Sequence, residues 1–501
     1  MEPWPRSLLS PSWGTAFGVP HAYEHDGMDH GALTTPRASV QQAEGVPAPG
    51  RWCLIILSSV QFLVLMDQAI LVVTLPRVQD TFALRTSALQ WVLTAYSLTF
   101  GGFMIVGGRA GDRYGARRIL SLGLCGFAGA SVMGGLATSG AMLVAARAVQ
   151  GLFCAGVAPA ALTAVTTSYR EKPARERALS VFGSSAAGGL VGGAIAGGVI
   201  AQLLSWRYAL LLSAPPALAL AVGTARTIPT PRDARDGFSL SIPSAALITG
   251  GCGALVFGLA TVGAAAPFLS VGVLVLAVGL LAGFALWETQ TSQPLIPPAL
   301  LKRRDVRQPT CALLCGSATI AGAIFAVTVF LAGRTEDGAL DASLALASLG
   351  GAAAVSGVAV PSLMRKVTPV AVQTLGLAVE CAGSLALAAV SSRSQLPLLV
   401  LGDALVGVGF VAALVATTIT ITAEVGDHEQ GALSGLLNVS LELGGGIGIA
   451  VVVMVANLSD TGDGATLLSN LRPSALAAAT IAAAGAFAAR SARHRRPGAK
   501  P

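Results

Sequence analysis

The chain is 501 residues long, 53% hydrophobic and only 11% charged, whereas soluble domains are about a quarter charged. That balance excludes an ordinary solvated domain. The net charge of +7 sits largely on the connections between apolar stretches, so it reads as membrane topology and argues against a nucleic-acid partner. The cysteines at 53, 125, 154, 252, 311, 315 and 381 all fall inside apolar stretches with no CxxC spacing, which excludes a disulfide framework. Cys311 and Cys315 share a helix face but read as buried small residues in preference to a metal site.

Residues 1–50 read as a disordered, polar cytoplasmic tail. It contains no apolar signal-peptide core, and Met28 is a second candidate start. Its cluster of His21, Glu24, His25, Asp26, Asp29 and His30 reads as a solvated tail in preference to a weak metal site. Stretches long enough for a bilayer-crossing helix, about 20 residues, then follow at 53–74, 88–108, 119–138, 141–163, 178–203 and 207–224. They make 51–225 an N-terminal six-helix half. The stretches 241–262 and 267–287 are nearly free of polar residues and are bracketed by longer loops, so 226–306 reads as an inserted, lipid-facing helix pair. Six more, at 308–332, 342–362, 371–391, 396–416, 432–456 and 473–489, make 307–489 the C-terminal half, and 490–501 is a basic tail.

The fold class expected is therefore an all-α polytopic membrane protein of fourteen transmembrane helices arranged 6 + 2 + 6. Only helices or closed barrels satisfy their backbones in lipid. The even-numbered connections together with the C-terminal tail hold 22 Lys and Arg, and the odd-numbered ones hold 6. The positive-inside rule then puts both termini in the cytoplasm. Arginine outnumbers lysine 28 to 4, which suggests a GC-rich bacterial genome and hence a bacterial cell membrane.

Charges inside the bilayer are costly and mark function by default. Five stand out: Asp67, Arg147, Glu380, Asp403 and Glu442. A carboxylate in a water-accessible cavity is the chemical requirement for proton coupling, because protonation changes its charge, its solvation and its partners. The alternative for each is snorkelling near a helix end or structural pairing. Polar residues also recur on single helix faces: Gln61 and Gln68; Gln90, Thr94 and Ser97; Arg147 and Gln150; Ser434, Asn438 and Glu442. These stripes either line a substrate cavity or hydrogen-bond between helices.

The stretch 178–203 repeats glycine at 188, 189, 192, 193, 197 and 198. Such faces allow close helix approach, and Gly189, Gly193, Gly197 and Gly198 read either as a sliding contact or as tight packing. The loop 108–118, GRAGDRYGARR, is expected to be a tight cytoplasmic turn with Asp112 set among Arg109, Arg113, Arg117 and Arg118. The loop 424–430, EVGDHEQ, is the one cytoplasmic connection without a cation, and its Glu424, Asp427 and Glu429 complement the basic loop. The two are expected to meet as a gate, with Asp112 near a helix N-terminus.

Together these residues resemble the major facilitator superfamily, specifically its fourteen-helix drug:proton antiporters. GRAGDRYGARR is similar to the superfamily's loop 2–3 motif through Gly108, Asp112, Arg113 and Gly115, and departs from it at Ala110 and Ala116. RAVQG at 147–151 resembles the fourth-helix motif, and MDQAILVVTLP at 66–76 resembles the first-helix motif through Asp67, Leu75 and Pro76. WVLTAYSL at 91–98, SWR at 205–207 and QPLIPPALL at 293–301 also fit. Two features depart: Ala194 stands where the antiporters have proline, and Glu442 stands where glutamine is common. PSLMRKVTP at 361–369 keeps only Arg365 and Lys366 of the second-half motif.

The resemblance implies alternating access between two halves. Asp67 and Arg147 would act in coupling, and Asp112 would lock the cytoplasmic side. The proton gradient is the energy source, with no cofactor. The expected function is proton-coupled efflux of amphipathic organic compounds, drugs or antibiotics, by a monomer whose partners are a small-molecule substrate, protons and the lipid bilayer. The competing readings are a proton-coupled importer or a lipid or metabolite transporter on the same fold, and a non-transporting sensor or scaffold. No GxSxG, HExxH or phosphate-cradling loop supports an enzyme.

Overall fold

The computed structural model describes residues 51–169, 171–228, 242–263, 267–291, 294, 298–332, 338–364, 366–391, 395–423, 430–459 and 471–491. The histidine-containing cluster at 21–30, Arg365 and the acidic residues Glu424, Asp427 and Glu429 lie outside them, and the side chains of Asp112 and Ser434 are not described.

The described chain is helical throughout its long elements. In the N-terminal part these are α1 (Arg51–Phe82), α2 (Thr86–Tyr114), α3 (Ala116–Gly135), α4 (Gly140–Ser168) and α5 (Lys172–Leu203), followed by α6 in two pieces, Arg207–Leu211 and Ala214–Thr227. Then come α7 (Ile242–Thr261), α8 (Pro267–Gln290) and a short turn of helix at Pro298–Lys302. The rest is α9 (Arg304–Ala332), α10 (Gly338–Leu363), α11 (Pro369–Ala388), α12 (Leu396–Ala423), α13 (Gln430–Leu458) and α14 (Arg472–Ser491). Among the described residues 13 stretches are long and apolar enough to cross a membrane. The alanine-rich α14, packed on α9 and α11, completes fourteen. Large apolar side chains point outward where lipid would lie, with Phe268, Val358 and Phe487 more than three-quarters exposed.

Several helices run past the expected ends. The first does not stop at residue 74: α1 continues through Pro76 to Phe82. Its projecting end is held by the SWR segment, where Trp206 Nε1 donates to Thr81 Oγ1 at 3.0 Å and packs edge-on against Phe82. Arg207 stacks on Trp206 and donates to the Ala137 carbonyl at 2.9 Å. The expected loop 108–118 is also shorter than anticipated. Gly108, Arg109 and the backbone of Asp112 and Arg113 are helical, and only Gly115 breaks the chain. At φ 90° it occupies the left-handed region that a β-carbon disfavours; Arg117 already lies in α3.

The glycine stripe of α5 packs against α1 inside one half. A β-carbon at Gly189 would strike the Phe62 carbonyl, and one at Gly193 would meet the Met66 carbonyl and lie 2.8 Å from Ala69 Cβ, both on α1. At Gly197 it would meet Ile70 and Val73. Gly198 is buried on the same helix. The inserted pair also differs from expectation. Only α8 faces outward over most of its length, whereas α7 lies against both α2 and α13. Gly102 of α2 is covered by Thr249, Trp91 packs on Phe257, and Asn457 of α13 donates to the Ala260 carbonyl at 2.9 Å. So α7 seals the seam between the two halves.

The halves also meet through a core of Leu71, Leu75 and Val92 with Phe325, Phe330 and Val452. This core lies away from the arginine-bearing end of α2 and α3. Overpacking a close helix contact costs about 1–3 kcal/mol. Gly193→Leu is therefore expected to lower the thermal unfolding midpoint of detergent-purified protein by several degrees. Gly272→Leu on α8, where nothing lies within 4 Å of an added β-carbon, should leave it unchanged.

Candidate functional site

Arg147 on α4 is 1% exposed, as is Asp67 of α1. Arg147 Nη1 donates to Asp67 Oδ2 at 2.9 Å. The carboxylate is also held by Gln150 Nε2, at 3.2 Å to Oδ1 and 3.1 Å to Oδ2. Arg147 further donates to Gln150 Oε1 and, through Nε, to the Val92 carbonyl of α2 at 3.3 Å. Gln150 reaches α3 through Ser131 Oγ at 2.9 Å. Tyr96 of α2 lies under the guanidinium, 4.4 Å from ring centroid to Cζ, within cation–π range.

The backbone explains why these groups converge. On α4, Arg147 and Gln150 are three residues apart and share a face. Thr99 of α2 donates to the Ala148 carbonyl at 2.8 Å, and Gly151 lets the Tyr96 carbonyl approach α4 closely. On α1, Gly193 of α5 grips Met66 and Ala69. The result ties four helices, α1 to α4, through one carboxylate. The expected water-accessible cavity is not present around this cluster in this conformation; Asp67, Arg147 and Gln150 are sealed.

Two of the other stripes face each other. Ser97 lies beside Glu442, Glu442 Cβ packs on Gly101, and Thr94 packs on Gly446, so the α2 stripe meets the α13 stripe across the seam between halves. Thr94 and Gln90 are fully buried, and neither Thr94 Oγ1 nor the Gln90 amide has a partner among the described residues. Asn438 is half-buried on the same α13 helix. Gln61 and Gln68 are half-buried on α1 and do not join the Asp67 cluster. Glu380 and Asp403 are buried in α11 and α12.

At the arginine-bearing end, Arg109 donates to the Pro294 carbonyl at 2.6 Å and faces Glu288 at the end of α8. Pro294 thus anchors to α2. Ser131 and Tyr96 were not singled out by sequence. Ser131 lies in a Gly/Ala run that reads as packing, and Tyr96 was visible only as part of a family-like segment.

Among the described residues the protein is a bundle of membrane-length helices with a sealed ion pair at its core, a polytopic membrane architecture. The sequence profile of the Major Facilitator Superfamily matches residues 57–243 and again 235–449, and the chain belongs to that family. It is 33% identical over 419 residues to the puromycin resistance protein pur8 of Streptomyces alboniger, covering 82% of each chain. It is 34% identical over 425 residues to the cephamycin export protein CmcT of Amycolatopsis lactamdurans, covering 83% of this chain and 87% of that one. Among solved structures, a variant of the nucleoside transporter NupG aligns with a TM-score of 0.63 at 14% identity, over 88% of this chain and 98% of that one. A bacterial homolog of the human lysosomal transporter Spinster, inward-facing and occupied, aligns with a TM-score of 0.60 at 17% identity, over 91% and 100%. These two show the fold alone.

Breaking a buried pair from one side leaves an uncompensated charge and costs about 3–5 kcal/mol. Arg147→Leu is therefore expected to destabilise the purified protein strongly. The double variant Asp67→Asn with Arg147→Leu should be clearly more stable than the single one. Equal loss in both would show that the pair carries no coupling.

Proposed function

We propose that this protein exports amphipathic organic compounds, antibiotics among them, in exchange for protons, with Asp67 as the proton-carrying group. The observation that carries the reading is the sealed Asp67–Arg147–Gln150 cluster. In it the Asp67 carboxylate is bonded to Arg147 and Gln150, which reach α2 and α3 in turn, so a proton on Asp67 would alter the bonding of four helices. Protonation removes the charge that Arg147 and Gln150 hold, and the guanidinium keeps only its bonds to Val92 and Gln150 and its seat on Tyr96. Ala69 and Val73 of the same α1 segment lie against α5 and share an apolar cluster with Leu346 of α10 in the opposite half. Loosening α1 therefore loosens the closed contact between halves, and a two-state element needs a bias of only a few kcal/mol to switch.

The names of the curated relatives support export as the direction and antibiotics as the substrate class. The loop charges support cytoplasmic termini. Glu442, at the seam with Ser97, offers a second carboxylate that would suit a cationic part of a solute. A proton-coupled importer is the second reading, because Ala194 replaces the proline that the antiporters carry.

The test is expression in an efflux-deficient bacterial host, with susceptibility to puromycin, a cephamycin, lincomycin and tetracenomycin C, followed by drug movement in everted vesicles. Resistance to at least one compound and accumulation driven by an imposed proton gradient are expected. Asp67→Asn, present in the membrane at wild-type level, should lose that accumulation by at least tenfold. Arg147→Lys, which keeps the charge but not the planar fork, should be impaired. Full transport by Asp67→Asn would remove the residue from the coupling step. Movement in the opposite direction would favour import.

A further inference from the structure

The two halves repeat one packing plan, and glycine contacts set its register residue by residue. Gly189 and Gly193 of α5 lie over the Phe62 and Met66 carbonyls of α1, as Gly444 and Gly448 of α13 lie over Leu314 and Ala318 of α9. Gly151 of α4 lies over the Tyr96 carbonyl of α2, and Gly407 of α12 over the Leu349 carbonyl of α10. Gly123 of α3 meets Val157 of α4, and Gly376 of α11 meets Ala413 of α12. In this register RAVQG at 147–151 corresponds to DALVG at 403–407. Arg147 becomes Asp403, Gln150 becomes Val406, Asp67 becomes Thr319, Ser131 becomes Ser384 and Phe127 becomes Glu380. The hydrogen bonds agree: Ser131 donates to the Phe127 carbonyl at 2.8 Å, and Ser384 to the Glu380 carbonyl at 3.0 Å.

The repeat thus inverts the charge at its centre. In the N-terminal half a guanidinium and an amide hold a carboxylate. In the C-terminal half Thr319 donates within its own helix to Cys315 and lies 3.3 Å from the Ala478 carbonyl, and Val406 has nothing to donate. Asp403 is 2% exposed, and its Oδ1 has no hydrogen-bond partner among the described residues. The titratable groups on the helices around α12 are Glu380 and Cys381 on α11, Asp341 on α10, Glu442 on α13, and Cys311 and Cys315 on α9. Arg304, Asp305 and Arg307 lie at the far end of α9. No described cation reaches Asp403. An ionised carboxylate without a donor is costly in such a place, and a bound proton is the smallest ligand that removes the charge.

We propose that Asp403 is a second proton site, carried by the C-terminal half at the position where the N-terminal half places Arg147. Water admitted when the halves part delivers the proton: hydronium gives it to a carboxylate oxygen and leaves as water, and the reverse step releases it. Glu380, fully buried with neither carboxylate oxygen partnered among the described residues, stands where Phe127 packs; the same cost applies to its charge, but it lies outside the Arg147 register, and an aspartate label does not report it. The use of this proton in the cycle rests on the proton-driven reading above, but its presence is tested without any substrate.

The experiment is infrared titration of full-length protein reconstituted in liposomes, with carbon-13 in the aspartate carboxyls. A label-shifted C=O band of protonated carboxyl is expected at neutral pH. It should be lost in Asp403→Asn and kept in both Asp67→Asn and Glu380→Gln. Absence of a label-shifted band, or a band lost in Asp67→Asn and kept in Asp403→Asn, overturns the proposal. Should Asp403→Asn fail to assemble, the label-shifted band of Asp67→Asn decides alone: its presence supports the site and its absence overturns it. Puromycin movement indifferent to an imposed proton gradient, with the band intact, would overturn the reading of function and leave the proton site standing.

Discussion

The ion pair between Asp67 and Arg147 is the constraint around which the N-terminal half is arranged. Two charges without water are tolerable only when geometry is good and every remaining donor and acceptor is met. Here Gln150 bridges both charges, Ser131 meets Gln150, the Val92 carbonyl accepts from the guanidinium, and the Tyr96 ring covers it. Each of those groups comes from a different helix or a different turn. Close approach of the helices is therefore a requirement of the charge, and the glycines supply it: Gly151 between α2 and α4, Gly193 between α1 and α5.

The same scaffold is used twice with different chemistry. Helix pairs α9/α13, α10/α12 and α11/α12 repeat α1/α5, α2/α4 and α3/α4, yet among the described residues the centre of the second half contains carboxyls with no guanidinium. Membrane bundles gain nothing from apolar contact between helices, because lipid is equally apolar. Packing of small residues carries the fold, and polar centres are left to differ. The inserted α7 adds a third element to the seam, where it packs on both α2 and α13.

Much of this was legible in the sequence. Fourteen apolar stretches, loop charge and the loop 2–3 residues led to the fold, and Asp67, Arg147 and Gln150 stood out because such side chains are costly in hydrocarbon. What was not legible has physical causes. Helix ends were misplaced where helices project beyond the apolar span, as at Pro76, or where one glycine suffices for a turn, as at Gly115. That Asp67 and Arg147, 80 residues apart, touch is a matter of helix crossing and not of local pattern. Ser131 was hidden because a small polar residue in a glycine and alanine run looks like packing. Asp403 was visible as a buried acid, but its place opposite Arg147 in the repeat was not, since RAVQG and DALVG share only alanine and glycine.

Proton flux through the purified protein is the most direct test of coupling through the buried cluster. In liposomes containing only this protein and a trapped pH dye, a puromycin gradient imposed without any other driving force should move protons in the opposite direction, and reversing the gradient should reverse the proton flux. Puromycin crossing at the same rate with no change in internal pH would contradict proton-coupled export.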